Sequence, residues 1–69
     1  MGAIKISLAA ARVNAGFTQA EVAAKMHVSK QTICSWERGK ASVKIEQGIA
    51  LSKLYGIPID HIFFDDKSN

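Results

Sequence analysis

Apolar residues recur along this chain mostly at helical spacing. Leu8, Ala11, Arg12 and Ala15 share one face of a segment from Ile4 to Ala15, and three alanines at 9–11 favour helix. Asn14 or Gly16 can end that helix in the left-handed conformation. Val22, Ala23 and Met26 form a second stripe, and Thr32, Ile33 and Trp36 a third. Ile45, Ile49, Leu51 and Leu54 predict a fourth helix, starting near Val43 or Lys44 and ending at Tyr55, with Gly56 as its stop. Pro58 breaks the chain and suits the first turn of a fifth, short helix with Ile59, Ile62 and Phe63 as its apolar face. The expectation is a compact, all-α, five-helix domain without a sheet. The alternation at Ile4 and Ile6 is the one place where a short strand would fit.

The joint between the second and third helices is the sharpest local signal. Thr18 can accept from the Glu21 N–H while Glu21 reaches back to the Thr18 N–H, a capping box. Phe17, just before the cap, can staple against Val22. Ser29 caps the third helix, so only Met26-His27-Val28 separates the two helical patterns. Helices that close must cross steeply, as in a helix-turn-helix, and small Ala23 suits the crossing.

Arg12, Gly16, Thr18-Gln19, Glu21, Ala23, Val28-Ser29, Thr32-Ile33 and Glu37-x-Gly39 form a wider ordered series. With that series the chain resembles the Cro/CI-type (XRE-family) helix-turn-helix DNA-binding domain, similar to lambdoid phage repressors, from about Ile4 to Phe63. The resemblance implies a lambda-repressor-like fold over residues 1–69, with the helix-turn-helix unit at about 19–38 and a polar tail at 65–69. One departure is His27, which stands where the family usually has a turn glycine. The resemblance also implies an ion pair between Arg12 and Glu37. A guanidinium on an apolar face needs a carboxylate acceptor, although desolvation can cancel the attraction.

In a helix-turn-helix the second helix enters the major groove. With Ile33 and Trp36 turned inward and Val28 packing at the turn, the opposite face of that helix carries Lys30, Gln31, Cys34 and Ser35, the candidate base contacts. Gln31 can pair with adenine N6 and N7, and Lys30 can donate to guanine O6 and N7. Ser35 can donate or accept, and Cys34 can touch a thymine methyl. Gln19, Ser29, Thr32, Arg38, Lys40, Ser42 and Lys44 are the candidate phosphate contacts, which orient a domain without specifying sequence. Trp36 reads as a core lid.

Charge supports one phosphate-facing surface. Of a net +3, five cations (Lys25, Lys30, Arg38, Lys40 and Lys44) lie between Val22 and Ile45 against Glu37 alone, and the balance reverses from Glu46 onward. The single Cys34 cannot form an internal disulfide and fits a reducing cytoplasm. No apolar run approaches a membrane span and no signal peptide is visible. His27 and His61 have no ligand spacing, so neither metal nor cofactor is expected. Without a nucleophile–base pair, phosphate-cradling loop or clustered carboxylates, an enzyme is the poorest reading.

The resemblance therefore implies a cytoplasmic, nucleoid-associated transcriptional regulator, a repressor, acting as a homodimer on double-stranded DNA with a palindromic operator. In family members the end containing helix five often forms the dimer contact, which here makes Ile59, Ile62, Phe63 and Phe64 the candidate seam. Of these, Phe63 is expected in the core and Phe64 more exposed. The competing reading keeps the fold but makes the chain a protein-interaction module, with a toxin or an anti-repressor as partner.

Overall fold

The computed structural model describes residues 5–64. The expected helical start at Ile4 and the polar tail at 65–69 lie outside the described residues. The elements are β1 (Ile6–Ser7), α1 (Leu8–Asn14), α2 (Gln19–Met26), α3 (Lys30–Glu37), α4 (Ile45–Tyr55), a 3-10 turn (Ile59–His61) and β2 (Ile62–Phe63). The mostly helical expectation holds in this form, with four α-helices rather than five.

Both ends of the described chain differ from the sequence-based expectation, for one reason. β1 and β2 pair in parallel, Ile6 opposite Ile62 and Ser7 opposite Phe63. That pairing draws Ile6 out of the first helix, which starts instead at Leu8. Ser7 becomes its cap, with Oγ accepting from the Ala10 N–H at 3.0 Å. At the other end the same pairing limits the expected fifth helix to one 3-10 turn after Pro58, because Ile62 is already extended (φ −108°, ψ 128°).

Four layers of side chain meet in the core. Leu8 and Ala11 come from α1, Val22 and Ala23 from α2, Ile33 and Trp36 from α3, and Leu51 and Tyr55 from α4, with Ile62 closing one end. Ile33, Leu51, Ile62 and Val22 are almost fully buried, each worth about 1.5–3 kcal/mol of burial. Trp36 is the expected lid. The expectations for the terminal aromatics are reversed. Phe63 is 52% exposed, whereas Phe64 packs against the core. Strand alternation explains this: with Ile62 turned inward, Phe63 must point out and Phe64 back in.

The turn between α2 and α3 follows its sequence signals. Thr18 and Glu21 make both bonds of the capping box, at 3.1 and 2.8 Å. His27 adopts the left-handed conformation (φ 59°, ψ 40°), the only non-glycine residue with positive φ among the described residues. Its N–H and that of Val28 close on the carbonyls of Ala24 and Ala23 at 3.3 and 3.0 Å. Capping thus continues despite the missing glycine, at a backbone cost of about 1 kcal/mol.

Candidate nucleic-acid interface

α3 is anchored by Ile33 and Trp36 on one side, which fixes what its other side presents. Ser29 caps it, with Oγ accepting from the Thr32 N–H at 3.1 Å and lying 3.0 Å from the Thr32 hydroxyl. The two hydroxyls thus form one small polar cluster at the helix start. Lys30 and Gln31 are exposed in the first turn, whereas Cys34 and Ser35 are half-buried in the next. The Ser35 carbonyl also accepts from the Lys40 and Ala41 N–H groups at 2.9 and 3.4 Å. This folds the loop after α3 back against the helix.

That loop carries exposed Arg38, Lys40, Ser42 and Lys44. Gly39 lets it turn, with φ 74° where a side chain would be strained. Lys44 caps α4, and its N–H donates to Gln47 Oε1 at 3.0 Å, which leaves its ammonium free of the cap. Among the described residues the one ion pair is Arg12–Glu37. Lys30 on α3 and Arg38, Lys40 and Lys44 in the segment that follows it are therefore without an acidic partner among those residues.

The Arg12–Glu37 pair sits behind this surface. Arg12 Nε donates to Glu37 Oε2 at 2.6 Å, and Nη2 to Oε1 at 3.3 Å. Arg12 Nη1 donates to the Phe17 carbonyl at 2.9 Å. Gln19 Nε2 adds a third donor to the carboxylate, on Oε1 at 2.9 Å. The start of α2, the end of α3 and the α1–α2 loop are therefore tied at one point. The Arg12 pKa is raised above its ordinary value, first by the hydrogen bond to Glu37, against an opposing desolvation, and further by the negative charge of Glu37. Nearby Tyr55 is pushed up to about 12, chiefly by burial and then by Glu37, with Arg12 opposing.

Gln19 thus has a structural task that its sequence position did not announce. One of its amide hydrogens is committed to Glu37, and the other remains for an outside acceptor. Ser7 and the Phe17 carbonyl were also missed as partners. Ser7 directly before an alanine-rich helical run was a usable capping signal; the Phe17 carbonyl and the Gln19–Glu37 bond had none. Of the four expected seam residues, Ile62 is withdrawn into the core, and Ile59 and Phe64 are half-buried. Phe63 alone stands well exposed.

Two capped helices joined by a three-residue turn, the second exposing amide and ammonium groups from its first turn, define a helix-turn-helix domain of the kind that reads the major groove. A helix-turn-helix family profile matches residues 8–62, and the chain belongs to that family in its Cro/CI-type (XRE) form. It is 38% identical over 58 residues to the cryptic phage CTXphi transcriptional repressor RstR of Vibrio cholerae, covering 84% of this chain and 52% of that repressor. It is 37% identical over 46 residues to an uncharacterized HTH-type transcriptional regulator of Methanocaldococcus jannaschii, covering 67% of this chain and 70% of that protein. The chain thus spans about half the length of RstR. No solved structure gives a significant match.

Proposed function

We propose that the chain is a sequence-specific DNA-binding transcriptional repressor of the cytoplasm, acting as a homodimer on a palindromic operator. The carrying observation is the solvent side of α3: exposed Lys30 and Gln31 in its first turn, followed by a loop of exposed cations without acidic partners among the described residues. The similarity to a protein named as a transcriptional repressor supports the direction of regulation. Lys30 and Gln31 read guanine and adenine edges, and Cys34 and Ser35 follow one turn deeper. Arg38, Lys40, Ser42 and Lys44 hold the phosphate backbone on one flank. Ser29, Thr32 and the second Gln19 amide hydrogen hold it at the helix starts.

Reading and positioning are separable by experiment. Gln31→Ala is expected to cost about 1–3 kcal/mol per half-site on the preferred operator and little on scrambled duplex. Lys40→Ala is expected to weaken both duplexes together and to flatten the log–log salt dependence by roughly one unit per lost contact. Titrations on both duplexes at several salt concentrations check this. Equal weakening of the two by Gln31→Ala would remove α3 from the reading role.

A further inference from the structure

Glu37 is the one acidic residue between Val22 and Ile45, the stretch that carries α3 and the cationic loop after it. A carboxylate there opposes the approach of phosphate. Glu37 is drawn inward instead, its side chain 8% exposed beside Arg12 at 15%. Arg12 bonds both carboxylate oxygens, at 2.6 and 3.3 Å, and cancels the charge. The third bond does something else. Gln19, the half-buried first residue of α2, donates from Nε2 to Glu37 Oε1 at 2.9 Å. Gln19 is neutral, so this bond balances no charge. Its consequence falls on Gln19 itself.

A glutamine amide has two ends of opposite polarity, a donating NH2 and an accepting oxygen. A free amide turns either end toward a neighbouring anion, and only the NH2 attracts it. An ionised carboxylate accepts and never donates. Held against Glu37, Gln19 must put its nitrogen there and its oxygen elsewhere. The second hydrogen on that nitrogen then becomes a fixed donor for an outside acceptor. Shielding of the carboxylate from water strengthens the hold.

We propose that Glu37 is a positioning residue for DNA: through Gln19 it fixes an amide with its free N–H toward one backbone phosphate. This role rests on the operator-binding reading, in which Gln19 contacts phosphate, and it couples that contact to the Arg12–Glu37 pair. Arg12 neutralises the carboxylate, so Glu37 aligns the amide without repelling the phosphate.

The sign of one substitution tests this. Glu37→Gln removes a negative charge from a DNA-binding domain, which by charge alone tightens binding. It also makes the side chain both donor and acceptor, so Gln19 is free to present either end. Positioning therefore predicts weaker binding where charge predicts stronger. Affinities are measured for wild type, Glu37→Gln, Gln19→Ala and the double variant on an operator selected from random DNA, with circular dichroism as the folding check. Glu37→Gln should bind about threefold or more weakly than wild type. Gln19→Ala should lose about tenfold per bound copy. In the Gln19→Ala background Glu37→Gln should no longer weaken binding, a cancellation that a merely structural role does not give. Neither substitution should flatten the salt dependence, because no cation is removed. On operators carrying a single uncharged methylphosphonate, stepped along the backbone, one position per half-site should weaken wild type and leave Gln19→Ala unchanged. Should Glu37→Gln lose its helical spectrum, Arg12→Met/Glu37→Met replaces the whole pair by apolar side chains and enters the same cycle with the same expectation. Binding by Glu37→Gln as tight as wild type or tighter overturns the proposal. So does a weakening that persists without Gln19, or a backbone series in which wild type and Gln19→Ala never differ. Those outcomes leave the operator-binding reading intact, whereas a wild type that binds no duplex removes that reading and the positioning role with it.

Discussion

The two sides of α4 finish the molecule in opposite ways. Toward Arg12 and Glu37, charged groups are drawn inward and the carboxylate receives three donor bonds, two from Arg12 and one from Gln19. Toward Gly48, apolar side chains are left facing outward around a groove. The polar side is complete within one chain, because each charge has its counter-group at hydrogen-bond distance. The apolar side is not, because Ile45 and Phe63 have no covering surface in the described chain. Fixed polar geometry ties the end of α3 to α1 and α2, and the apolar area on the other side stays open to solvent.

The largest expected effect breaks the polar side. Glu37→Ala leaves a partly buried guanidinium with only the Phe17 carbonyl, and should destabilise the domain by about 3 kcal/mol or somewhat more. Arg12→Ala should cost a similar amount. Urea denaturation at neutral pH checks both, and unchanged midpoints would mean that the clamp does not hold α2 to α3. Next, Ile62→Ala should cost about 2–4 kcal/mol as a core cavity. Its neighbour Phe63→Ala, at a half-exposed position, should stay within about 0.5 kcal/mol. The reverse order would place the wrong one of the pair inside. The smallest effect is a gain. His27→Gly relieves a left-handed histidine and should raise stability by about 0.5–1 kcal/mol, or several degrees in Tm. A scanning calorimetry trace showing a loss would mean that the imidazole makes a contact worth more than the strain.

How far each side was legible follows from the distance its signals span. The capping box at Thr18–Glu21, the Ser29 cap and the His27 turn are local, so their geometry is written within four residues. The Arg12–Glu37 pair joins residues 25 apart, and it was legible only because a family pattern supplies both partners together. The segment after Pro58 was misread because Ile59, Ile62 and Phe63 fit helical spacing, while over so few residues a strand fits equally well. What decided between them was Ile6, at the other end of the chain, which no local window contains. The same missing information hid the groove. Helical spacing put Phe63 inside, and the strand conformation put it outside. At the interface, exposure of Lys30 and Gln31 followed from the apolar face of α3. The commitment of Gln19 to Glu37 did not, because nothing in a glutamine's position names its acceptor.

The pairing of β1 with β2 also bears on the order in which the molecule assembles. Nearly the whole chain lies inside the loop that Ile6 and Ile62 close, whereas α2 and α3, the most extensively packed pair of elements, are neighbours in sequence. Closing a loop of that length costs entropy that only later contacts return, so the helix-turn-helix forms early and the end-to-end pairing late. Conservative substitutions at Ile62 should then speed unfolding and leave the folding rate nearly untouched, while substitutions at Ala23 or Ile33 slow folding. Stopped-flow chevrons with a large φ-value at Ile62 would reverse that order. On this ordering, a partly open chain would keep its reading helix formed after its ends have parted.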